Sequence, residues 1–121
     1  MNKKAFQNPK PSPSLSSEID RERALFHALM QPSARILVAF AYDVARRKWI
    51  IDHRDVLIKL KGKFWTQLNR WTFPWGASID LKVINRNTID QIAGWKFSRV
   101  EIDSEIDLFH KDLIMMRVKI E

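Results

Sequence analysis

Between residues 18 and 72 the apolar positions recur at a helical period. From about Glu18 to Met30, Ile19, Phe26 and Met30 fall on one side at about 100° per residue. Ser16 and Ser17 are favoured N-cap types, and Glu18, Asp20 and Glu22 suit the positive end of a helix. Gln31-Pro32-Ser33 then breaks this helix and caps a second, from Ala34 to about Lys48, in which Leu37, Phe40, Ala41 and Val44 share a face opposite Arg35 and Arg46. A strand over Ile36–Val44 is the rival, and four Ala with helically placed charges weigh against it. Residues 55–72 give the clearest amphipathic pattern. With Lys59 at 0°, Arg70 and Lys63 fall within about 40°, whereas Trp71, Phe64, Leu57 and Leu68 fall at about 120–180°. Gly62 is the flaw in that pattern and a candidate break.

After Phe73-Pro74-Trp75-Gly76 the period changes to two. Ile79, Leu81 and Val83 alternate with Asp80 and Lys82, which predicts a half-buried strand. Asn87 or Thr88 caps a short helix through Ala93, ended by Gly94. Val100, Ile102, Ile106 and Leu108 then alternate with Arg99, Glu101, Asp103, Glu105 and Asp107, and Met116, Val118 and Ile120 with Arg117 and Lys119. A turn at His110-Lys111-Asp112 makes this an antiparallel hairpin, with a helix from Ser104 as the rival. The resulting fold class is α+β: N-terminal helices packed on one face of a small antiparallel three-stranded sheet, whose other face is acidic and solvated. Pro9, Pro11 and Pro13 with Lys3, Lys4 and Lys10 make residues 1–16 a flexible basic tail, leaving 17–121 as one α+β domain.

Charge changes the picture most. The chain of 121 residues carries 21 Lys and Arg against 14 Asp and Glu, a net charge of +7. Such a domain attracts polyanions. Residues 101–121 reverse the sign, with six carboxylates against three cations. The absence of Cys excludes disulfides and thiolate metal sites and points to the cytoplasm. The first residues hold no secretory h-region and no Gly at position 2, and the longest apolar run, Ile36–Tyr42, is too short to span a bilayer, so no membrane partner is expected.

The candidate chemistry follows from the charge. Arg46, Arg47, Lys48, Arg54, Lys59, Lys61, Lys63 and Arg70 form a basic stretch against only Asp52 and Asp55, and several cations on one face are what a phosphate backbone requires. Trp65 and Trp75 stand beside it as candidates for stacking on unpaired bases, whereas Phe64 and Trp71 belong to the core side of the wheel. A solvated helix face is the plain alternative for the cations. Glu101, Asp103, Glu105 and Asp107 read as a solvated strand face rather than a catalytic one. His27, His53 and His110 lack metal-ligand spacing, and with three Gly no phosphate-binding loop can be built. No catalytic residue, metal or cofactor is therefore expected. A helix-turn-helix over Glu18–Lys48 fails on the apolar second helix. The expectation is a non-enzymatic cytoplasmic nucleic-acid-binding accessory protein, with DNA or RNA as partner. The alternative is a protein-interaction subunit, adaptor or inhibitor, or a homo-oligomer, anchored by Trp65, Trp75 and Met115.

Overall fold

Arg35-Ile-Leu-Val-Ala-Phe40 decides the architecture, because five consecutive residues of it are buried. A run buried on both sides is the mark of a central parallel strand, flanked by strands and covered on both faces. The computed structural model describes residues 13–120. In chain order they form α1 (Pro13–Leu29), β1 (Arg35–Phe40), α2 (Asp43–Lys59), β2 (Lys63–Trp65), β3 (Arg70–Thr72), β4 (Ser78–Val83), a 3-10 turn (Ile89–Ile92), β5 (Lys96–Phe97), β6 (Arg99–Ile102), α3 (Leu108–Arg117) and β7 (Lys119–Ile120). The class is α+β, but the sheet is mixed and five-stranded, in the order β2-β3-β4-β1-β6. β1 is parallel to both β4 and β6, while β2, β3 and β4 are antiparallel. β5 and β7 form a separate parallel pair.

Alternation along β1 divides the interior. Ile36, Val38 and Phe40 join Leu25, Leu29, Leu57, Trp71, Phe73, Ile79 and Leu81 beneath α1 and α2. Leu37 and Ala39 join Ile84, Ile89, Ile92, Phe97, Ile106, Ile114 and Val118 on the other side, against α3 and the 3-10 turn. Helices therefore lie on both faces, and the expected acidic solvated face does not exist.

Several sequence expectations are corrected by this arrangement. The helix expected over Ala34–Lys48 is β1 followed by the first turns of α2, because a continuous apolar run satisfies either period and burial on both faces selects the strand. That also removes the helix-turn-helix. The helix expected over 55–72 stops at Lys59. There the Gly62 amide donates to the Leu57 carbonyl at 2.8 Å, and a Cβ on Gly62 would lie 2.7 Å from that carbonyl oxygen and from the Phe73 ring. Beyond this crossing, residues 63–65 and 70–72 are strands, so Lys59, Lys63 and Arg70 do not share a helix face. The hairpin expected over 99–120 is β6 and then α3. Asp107 caps α3 by accepting from the His110 amide at 2.8 Å, close to the rival helix start at Ser104. α1 begins at Pro13, inside the expected tail, and the expectation for residues 1–12 lies outside the described residues. β4 and the 3-10 turn after Thr88 stand where the pattern put them, but the Thr88 hydroxyl donates to the Val83 carbonyl at 2.7 Å and does not cap the turn.

Candidate nucleic-acid interface

α2 ends at Lys59, and after Leu60 and Lys61 the chain reverses at Gly62 into the edge strand β2. This junction gathers Arg54, Lys59, Lys61 and Lys63. None of the four has a carboxylate partner among the described residues. Period two places Phe64 on the α2 side of the hairpin and Lys63 and Trp65 on the opposite side. Phe64 tilts against Trp71 with ring centroids 5.2 Å apart. Between α2 and the hairpin lies a groove of about 420 Å³, lined by Ile50, Arg54, Ile58, Gly62, Lys63, Phe64 and Trp71. Trp71 is buried, and its Nε1–H has no hydrogen-bond partner among the described residues. On the outer side the Lys63 ammonium sits 4.1 Å from the Trp65 ring centroid. Trp65 is 42% exposed and donates to the Thr72 hydroxyl at 2.8 Å, which fixes its ring.

The other cations proposed from the sequence are placed differently. Arg46 bonds Asp43 at 2.7 Å and Asn69 at 2.8 Å, and its side chain is largely covered. Arg47 reaches the same Asp43 at 2.7 Å, and the two guanidiniums, Arg46 foremost by its hydrogen bond, hold the Asp43 carboxyl below the usual value. Lys48 bonds Asp52 at 2.7 Å. Arg70 and Arg35 both bind Asp80, which is fully buried where the sequence predicts solvent. Trp75 is half-buried, with its Nε1–H committed to the Leu29 carbonyl at 2.7 Å. The structure therefore places Arg54 and Lys63 on the groove, Lys63 also against Trp65, and Lys59 at the end of α2, whereas Arg46, Arg47, Lys48, Arg70 and Trp75 are tied into contacts of the fold. The groove formed by Ile50, Ile58, Phe64 and Trp71 is not visible in the sequence pattern, which does include Lys61 in the basic stretch. Gly62 was the available signal, since a break there folds β2 back beside α2.

A second concavity of about 290 Å³ lies where β1 and β6 end, between the sheet and the helices α1 and α2. The chain leaves those two strands toward opposite faces, the usual ligand crevice of an open parallel sheet. Its charges are largely matched internally. Glu101 accepts from Arg99 at 3.0 Å and faces Arg21 at 4.0 Å, and Lys48 bonds Asp52. One Asp103 carboxylate oxygen is buried without a partner. Among the described residues no three His, Asp or Glu side chains converge to hold a metal ion, and no helix is long and apolar enough to cross a membrane.

The chain matches no family model, no curated protein and no solved structure.

Proposed function

We propose that the protein is a cytoplasmic, non-enzymatic nucleic-acid-binding accessory protein that grips a single strand of DNA or RNA at the β2 edge. The observation that carries this reading is the run of Arg54, Lys59, Lys61 and Lys63 at the end of α2 and the start of β2, without carboxylate partners among the described residues, with Lys63 against exposed Trp65 and with Arg54 and Lys63 lining an apolar groove. Cations whose charge is not neutralised within the fold are the ones that displace counterions from phosphates. Aromatic side chains beside such cations stack on unpaired bases, which a paired duplex does not offer. Binding depends weakly on sequence, because the cations address phosphates and stacking is tolerant of base identity.

The test compares single-stranded and duplex oligonucleotides in competition, using wild type, Trp65→Ala and Trp75→Ala. Single strands should win. Trp65→Ala should weaken them roughly tenfold, as loss of about 1–3 kcal/mol of stacking per base implies. Trp75→Ala should leave affinity unchanged unless it unfolds the chain, which circular dichroism reports. Absence of binding at low salt, or equal single-strand affinity in Trp65→Ala, contradicts the reading.

A further inference from the structure

The two interior clusters leave two helices with apolar faces toward solvent, on opposite sides of the sheet. On α2, Val44, Ile51 and Ile58 are 73%, 74% and 49% exposed. Their seven-residue spacing is nearly two helical turns, so the three form one stripe. Arg47 and Arg54, also seven apart, run along one flank of it. On α3, Leu108, Phe109, Met115 and Met116 are exposed, Met116 by 77%. At about 100° per residue these four fall on one side of α3 around Asp112, with Glu105 and Asp107 at its start. Eight of the fourteen large apolar side chains exposed among the described residues belong to these two helices. Apolar patches of this kind mark surfaces that bind.

We infer that α3 of one copy docks on α2 of the next, so that the chain assembles head to tail. Charge selects this occupant. Two antiparallel α2 helices related by a two-fold axis set the same flank of each against the other, bringing Arg47 and Arg54 against their own counterparts. Two α3 helices likewise set carboxylate against carboxylate. α2 against α3 instead sets Arg54, together with Arg47 and its Asp43 partner, against Asp112, Glu105 and Asp107. The two surfaces lie on opposite layers, so each docked copy still offers one of each. The contact is heterologous and does not close on itself, which yields an open chain. The α3 face is only about 15 Å long, small beside the roughly 800 Å² per partner of a stable interface. Association is therefore weak and grows with concentration.

The experiment is sedimentation velocity on the full chain, freed of nucleic acid, across a concentration series. Wild type should increase in mean mass beyond the dimer without a plateau. Ile51→Lys blocks α2, and Met116→Lys blocks α3. Each variant alone should remain monomeric. Mixed, they should form a 1:1 dimer and stop, because one intact α3 meets one intact α2. Both positions are about three-quarters exposed, and thermal melts confirm that the variants fold. A wild type that stays monomeric overturns the inference. So does a plateau at dimer, which signals a self-paired face, or a mixture that fails to associate, which leaves the stripe to another protein or to the N-terminal segment.

Discussion

At the residue scale, Gly62 and Asp80 fix the ends of the candidate interface. Gly62 lets the chain pass between the Leu57 carbonyl and the Phe73 ring. Gly62→Ala should destabilise the fold by about 1–3 kcal/mol, the range for overpacking a filled interior, as read by denaturant unfolding. An unchanged midpoint would show that α2 and the hairpin separate easily. Asp80 is fully buried and joins Arg70 of the hairpin to Arg35 of the central strand. Asp80→Ala strands two guanidiniums, each partly in contact with water, so the loss should be about 2–3 kcal/mol, the range for hydrogen bonds to charged groups. A shift below about 0.5 kcal/mol, the scale of ordinary surface changes, would mean that the pair is incidental. Asp80 also explains why Arg70 is withdrawn from the interface: its charge is spent inside the fold.

At the scale of elements, the pH response belongs to α3. The His110 amide, and then its side chain, donate to Asp107 and hold the carboxyl below its usual value. A carboxylate of lowered pKa supports the fold above the unfolded value and loses that support as pH falls through the folded one. Amide protection in the first turn of α3 should therefore persist from pH 7 to about 5 and fall only below the ordinary Asp range near 4. Asp107→Asn keeps a good cap without a titrating group, so it should lack this acid step. An identical step in Asp107→Asn would assign the fraying to another group. The same scale shows what the sequence reveals. β4 and the turn after Thr88 are legible because alternation and turn residues are local signals. β1 is not, since a short apolar run carries no period of its own. The helical wheel over 55–72 assigned Phe64 and Trp71 to the inside and Lys63 and Arg70 to the outside, and Phe64, Trp71 and Lys63 keep those sides in the hairpin. A spacing of seven is two helical turns, but here it is also the cross-strand pair Phe64↔Trp71. The wheel therefore separates Phe64 and Trp71 from Lys63 correctly, but it puts Leu68 inside, although Leu68 is 48% exposed, and Arg70 in solvent, although Arg70 binds buried Asp80. It also cannot show that Arg70 meets a carboxylate, because the Arg70–Asp80 pairing depends on strand register.

At the scale of the molecule, charge is arranged across the sheet. The cationic junction of α2 and β2 occupies one edge, and β6, with Glu101 buried against Arg99 and Arg21, occupies the other. The proposed function requires a polyanion at the first. The most direct test is the salt dependence of single-strand binding by fluorescence anisotropy, in wild type and in Arg54→Ala/Lys59→Ala/Lys61→Ala/Lys63→Ala. Each cation on a single strand contributes about −0.7 to the slope of log K against log salt, so losing four should flatten the slope by about 3. Between about 50 and 200 mM salt, that portion alone amounts to roughly fiftyfold in affinity. Lysines of the N-terminal segment add equally to both proteins, so the difference isolates the β2 edge. A slope flattened by about 3 places the phosphate backbone on these four residues, and an unchanged slope contradicts the account.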